Sequence, residues 1–122
     1  MGKQLIMCVD DSASARSLVC NALKAAGFDT IEAVDGKDAM IKLLLHPVAS
    51  VITDLYMPNM DGMEFIRKVR KSERHRFLPI IMMTSESQRS KVLEAISFGV
   101  TGWLLKPVAP DQIVSAIKKV IR

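Results

Sequence analysis

The sequence predicts an α/β domain, a doubly wound five-stranded parallel sheet with helices on both faces. Three observations predict it. Short apolar runs rich in β-branched residues alternate five times with stretches whose apolar residues repeat at helical spacing. The connections are short, and they carry turn and cap residues. The first run, Leu5–Val9, is apolar without alternation, the pattern of a parallel strand covered on both faces.

That first strand ends in Asp10-Asp11, and Ser12 or Ser14 can cap the helix that follows. The helix has Ala15, Leu18, Val19, Ala22, Leu23 and Ala26 on its apolar face and closes at Gly27. Phe28–Val34 is a second strand, and Asp29 and Glu32 within it suit an edge position. Gly36–Leu45 is a short helix with Ala39, Met40, Leu43 and Leu44 inward, stopped before Pro47. Val51-Ile52-Thr53 is the third strand, ending in Asp54 and a Pro/Asn/Asp/Gly loop. Asp61 caps a third helix that begins near Gly62 and buries Met63, Phe65, Ile66 and Val69. Leu78–Met83 is the fourth strand, ending at Thr84-Ser85, and a helix from about Gln88 to Phe98 stops at Gly99. Thr101–Leu105 is the fifth strand, ending at Lys106-Pro107. The last helix runs from Asp111 to the end, with Ile113, Ala116, Ile117, Val120 and Ile121 on one stripe.

A chain of 122 residues is read as one domain, 1–122, large enough to bury a core. Apolar residues at 49% and charged residues at 25% are ordinary globular values, which excludes a disordered chain. No apolar run approaches the roughly 18 residues of a membrane span. The N-terminal run is too short for a signal-peptide core, so the expected location is cytoplasmic and no membrane partner is expected. Cys8 and Cys20 lack metal spacing and read as free thiols in a reducing compartment.

The strand ends carry the chemistry. Strand one gives Asp10 and Asp11, strand three Asp54, strand four Thr84 and strand five Lys106. Parallel strands point the same way, so these groups converge on the rim where open α/β sheets bind ligands. Each has a bland alternative: the acids as helix or turn caps, Thr84 as a cap for the fourth helix, Lys106 as a solvated cation. Four such coincidences at four strand ends weigh against that. Three carboxylates held together repel, and a divalent cation relieves the repulsion; oxygen ligands open to water suit Mg²⁺. A lysine meets a phosphate, and a threonine hydroxyl donates to one. Together they make a phosphoryl-transfer site with Asp54 as nucleophile.

With Val9-Asp10-Asp11-Ser12, Asp54 through Gly62, Thr84-Ser85-Glu86 and Lys106-Pro107 in place, the chain resembles a receiver domain of a two-component response regulator. It is similar to the single-domain chemotaxis type over essentially its whole length. The resemblance implies a flavodoxin-like fold with strand order 2-1-3-4-5, an arrangement for which a chemotaxis receiver is a standard example. It implies that Asp54 takes a phosphoryl group from a sensor histidine kinase or a histidine phosphotransfer protein. It implies Mg²⁺ held by Asp11, Asp54 and the Tyr56 backbone carbonyl with Asp10 assisting, and a cis bond before Pro107. Lys106 and Thr84 would meet the phosphoryl oxygens. Thr84 and Trp103 resemble the family's switch pair, although Trp stands where Tyr or Phe is more familiar and strand packing is its alternative role. Tyr56 occupies a position that in relatives influences acyl-phosphate hydrolysis. Output would pass through helix four, strand five and helix five, where Arg89, Lys91, Lys118 and Lys119 surround Trp103, to a downstream target. The protein would be a monomer or a phosphorylation-dependent dimer.

Two other classes fit the residues less well. A haloacid-dehalogenase-type phosphatase uses a nucleophile and a second Asp two residues later on strand one, but here Asp10 and Asp11 are adjacent and position 12 is Ser. A flavin carrier needs a phosphate-cradling loop after strand one, where this chain has acids. The reading is therefore a signalling domain, not an enzyme acting on separate substrates. A net charge of +4 suits an acidic partner, and Arg67–Arg76 contributes six Lys or Arg in ten residues. Cations favour a helix C-terminus, so a solvated helix end accounts for most of that cluster, and without interleaved aromatics nucleic acid is disfavoured.

Overall fold

The structure, a computed structural model, describes residues 3–121. Ten elements alternate along it: β1 (Leu5–Val9), α1 (Ala13–Ala25), β2 (Asp29–Ala33), α2 (Gly36–Leu45), β3 (Val48–Thr53), α3 (Gly62–Lys71), β4 (Ile80–Thr84), α4 (Arg89–Ser97), β5 (Gly102–Leu105) and α5 (Pro110–Val120). The five strands form one parallel sheet in the order β2-β1-β3-β4-β5. Val9 lies beside Ala33 and Thr53, and Thr84 beside Leu105, so the carboxyl ends of all five strands finish on one rim.

Alternate residues along each strand feed two cores. Ile6, Cys8, Ile52, Ile81 and Met83 face α1 and α5, closing on Val19, Leu23, Ile113 and Ile117. Met7, Val9, Val51, Ile80 and Met82 face the other way, against α2, α3 and α4, with Leu43, Phe65, Ile66, Val69 and Ala95. Thr84 and Trp103 share this second face by the same alternation. Both cysteines are free and buried.

Local signals mark most helix ends. Ser12, Asp35 and Asp61 cap α1, α2 and α3 with side-chain oxygens, and Gly27 and Gly99 follow α1 and α4 with φ of 98° and 93°. The N-cap of α4 is Gln88 without a side-chain bond, so Thr84 is not that helix's cap. β3 begins at Val48, three residues earlier than the apolar run suggests. Two helix faces are turned from the simple stripe: Leu18 is 54% and Leu44 65% exposed, while Cys20 goes inside. α5 begins one residue before Asp111 and ends at Val120, with Ile121 as its C-terminal cap in extended conformation, and Arg122 lies outside the described residues. Gly62 is required by close approach, because a Cβ there would sit 2.5 Å from the Asp54 carbonyl.

One cap reaches further than its own helix. Asp35, 6% exposed, accepts from the Asp38 N–H at 2.8 Å and from Asn59 Nδ2 at 2.8 Å, and Gly36 N–H donates to the Met60 carbonyl at 2.9 Å. The start of α2 thus holds the β3–α3 loop, where Asn59 adopts φ of 66°. The Asp38 N–H and then the Asn59 amide hold the Asp35 carboxyl below its ordinary value. A carboxylate depressed in the folded state contributes stability above its unfolded value of about 3.9 and loses it as pH falls through the folded value. Asp35→Ala is expected to cost about 1–3 kcal/mol near neutrality. Urea unfolding at several pH values checks this: the difference from the parent must shrink on acidification, and a constant difference would contradict it.

Candidate functional site

The rim gathers the strand-end residues from distant parts of the chain. Carboxylate oxygens of Asp10, Asp11 and Asp54 all lie within 4.8 Å of one another. Asp10 is 5% exposed, its Oδ1 accepting from the Ser12 N–H at 2.9 Å. The Asp54 N–H donates to the Val9 carbonyl at 2.9 Å, tying the ends of β1 and β3 together. Its Oδ1 accepts from the Leu55 N–H at 2.7 Å, which fixes the carboxylate plane. Asp11 is exposed. An all-oxygen set, part buried and part open to water, fits a hard divalent cation of the Mg²⁺ kind.

Lys106 crosses this group. Its Nζ donates to Asp10 Oδ2 at 3.2 Å and to Asp54 Oδ2 at 3.4 Å. Burial lowers the affinity of its ammonium for the proton, but the Asp54 and Asp10 carboxylates outweigh that, and the group is raised above its ordinary value. It is a permanent cation in the pH range of a cell. The Lys106–Pro107 peptide bond is cis. Thr84, 1% exposed, accepts from the Glu86 N–H at 3.3 Å through Oγ1, and its carbonyl accepts from the Lys106 N–H at 2.9 Å. Trp103 is half-buried beside Met82, one step along β5 from the neighbour of Met83 and on the face of the sheet that Thr84 shares.

Three further contacts surround the site. The Tyr56 hydroxyl donates to Glu86 Oε1, and Glu86 Oε2 accepts from the Gln88 N–H at 2.9 Å, so the loops after β3 and β4 are tied beside the acids. The hydrogen bond from Tyr56, then that from the Gln88 N–H, hold Glu86 below its ordinary value. Arg16 on α1 donates through Nη1 to the Asp10 carbonyl at 2.7 Å and through Nε to Glu32 at 2.9 Å. It anchors the backbone of the acid pair to β2. Arg16 stands three, four and seven residues before the buried Val19, Cys20 and Leu23, so helical spacing puts it at the edge of the buried face of α1. Nothing local in the sequence joins Tyr56 to Glu86.

Similarity to known proteins agrees with this geometry. The family model described as the response regulator receiver domain matches residues 6–118. The chain is 36% identical over 116 residues to the chemotaxis protein CheY of Pseudomonas aeruginosa, covering 94% of each chain. It is 35% identical over 118 residues to CheY1 of Helicobacter pylori, covering 95% of each. The solved structure of CheY4 from Vibrio cholerae superposes with a TM-score of 0.93 at 35% identity, covering 98% of this chain and all of that one. With the strand order, the acid cluster and Lys106 already in view, the conclusion is direct: the chain belongs to the response regulator receiver family.

Proposed function

We propose that residues 1–122 form a cytoplasmic, phosphorylation-activated signalling switch whose phosphoacceptor is Asp54. The observation that carries it is Asp54 held between two partners: its Oδ1 is pinned by the Leu55 N–H and its Oδ2 faces Lys106, with two further acids within 4.8 Å. The donor is a phosphohistidine on a sensor histidine kinase or a histidine phosphotransfer protein. An Asp54 carboxylate oxygen attacks phosphorus, the P–N bond breaks, and the imidazole leaves with its electron pair and takes up a proton. The product is an acyl phosphate on Asp54.

Asp11, Asp54 and the Tyr56 carbonyl would hold Mg²⁺, with Asp10 assisting. Bound there, the ion neutralises charge on the transferring oxygens. Lys106 supplies the second positive charge, already oriented by Asp10 and Asp54. Thr84 gives up its bond from the Glu86 N–H and donates its hydroxyl to the phosphoryl group, and Trp103 repacks on the same face. The chain modifies itself and does not turn over a separate substrate.

The test is intact mass measurement after incubation with a small phosphodonor. One phosphoryl group per chain, gained only with Mg²⁺, is expected; turnover of the donor without stoichiometric labelling would favour an enzyme. Output through α4, β5 and α5 adds a second expectation. Leu93, Ile96 and Leu105 are each at least half exposed there beside Arg89, Lys91 and Lys119, a surface for an acidic, amphipathic segment of a target. Beryllofluoride, which mimics the phosphoryl group, should tighten target binding roughly 5–150-fold, the ordinary range of coupling. Equal affinity with and without it would remove the switch.

A further inference from the structure

The six cations of Arg67–Arg76 are not equivalent. Arg70 spends its guanidinium on backbone carbonyls, reaching Gly99 at 2.8 Å, Leu78 at 2.7 Å and Arg76 at 3.2 Å. Arg67 lies over the Phe98 ring at 5.3 Å, and Lys68 approaches Glu64 at 3.8 Å. His75 is held below its ordinary value by burial and by Arg74. Lys71, Arg74 and Arg76 are the cations left nearest Phe77 in the chain; like Arg67, they are exposed and, among the described residues, have no carboxylate partner.

Beside them stands Phe77, 83% exposed, with the Arg76 guanidinium 4.9 Å from its ring centroid. Phe77 also lines a groove of about 500 Å³, with Gln4, Ala49, Pro79, Thr101, Val120 and Ile121. The groove lies at the amino ends of β3, β4 and β5 and the end of α5, across the sheet from Asp54. A strand of five residues separates the two rims by roughly 17 Å. An exposed aromatic in a groove of mixed polar and apolar lining, with the Arg76 guanidinium over its ring, is the composition of a binding surface. It shares no residue with the acid cluster, and it meets the α4–β5–α5 face only at the start of β5 and the end of α5.

We propose that this groove docks an extended acidic protein segment bearing one apolar anchor. The anchor packs against Phe77 and Pro79, and carboxylates beside it meet Arg76, which lies over the Phe77 ring, and Arg74 two residues earlier. Charge complementarity selects this occupant, since the only acid in the stretch is Glu73. Nucleic acid is a poorer fit, because three available cations release few counterions and one face of the Phe77 ring is already covered by Arg76. A lipid surface is poorer too: insertion needs a broad apolar face, whereas Phe77 is a single exposed ring beside a groove whose lining is part polar.

The test uses fluorescence anisotropy with the full chain and four probes at physiological salt. They are a short Glu/Gly peptide with a central Leu, the same peptide with Ser for Leu, an oligothymidylate, and phosphatidylserine vesicles. The Leu peptide should bind saturably, and loss of Leu should weaken it roughly tenfold. Phe77→Ser and the pair Arg74→Glu with Arg76→Glu should each weaken it to a similar degree. These side chains are exposed, so the parent's thermal midpoint should persist. No saturable binding, indifference to all these substitutions, or tighter binding of the oligonucleotide or vesicles would overturn the proposal.

Discussion

Asp54→Asn is expected to abolish phosphoryl labelling while leaving the fold intact. The amide has the shape of the carboxylate, and its oxygen can still accept from the Leu55 N–H that Asp54 meets at 2.7 Å. What disappears is the nucleophile, and with it half of the pairing of Lys106, whose other carboxylate, Asp10 at 3.2 Å, remains. Folding stability should change little, because an amide facing Lys106 at that distance loses one weak ion pair and buries no new charge. Labelling should fall to background in intact mass spectra with Mg²⁺ and phosphodonor present. A variant that still gains one phosphoryl group at the parent's rate would place the acceptor elsewhere, and Asp10 or Asp11 would be next in line.

Much of this site was legible because a parallel sheet turns strand endings into neighbours. Asp10, Asp54, Thr84 and Lys106 each end an apolar run, and the shared strand direction alone puts them on one rim. Helix faces were less legible. Periodicity fixes which residues share an arc but not how that arc is rotated against the sheet. Leu18 and Leu44 therefore face outward, although both lie on a good apolar stripe. The Asp35–Asn59 and Tyr56–Glu86 contacts join loops 24 and 30 residues apart, where no repeat or spacing relates the partners. Charge counts mislead for a similar reason. Six cations in ten residues look like one patch, yet Arg70 is committed to carbonyls that only the folded chain brings within reach. The interleaved aromatics that the linear stretch lacks are supplied by Phe98 from α4's end and by Phe77 just beyond it.

Asp10 and Asp11, adjacent in sequence and equally acidic, should respond in opposite ways to removal. Asp10 is 5% exposed, accepts from the Ser12 N–H and pairs with Lys106. Asp10→Ala leaves that N–H and one side of the ammonium without a partner, so it should destabilise the fold by about 1–3 kcal/mol with or without metal. Asp11 is exposed, and its side chain makes no hydrogen bond or ion pair among the described residues. Its role without a cation is repulsion of its neighbours, so Asp11→Ala should leave metal-free stability unchanged or slightly raised. The metal response separates the two again. A ligand that binds only the folded state stabilises it by about 2.7 kcal/mol at a hundredfold excess over its Kd. Mg²⁺ should raise the thermal midpoint of the parent in this way, and Asp11→Ala should lose most of the rise because a direct ligand is gone. Thermal unfolding with and without Mg²⁺ decides it, with Trp103 fluorescence as an independent titration. An Asp11→Ala protein that titrates with Mg²⁺ like the parent would show that the exposed acid is not a ligand, and one destabilised without metal would show that Asp11 supports the fold by itself.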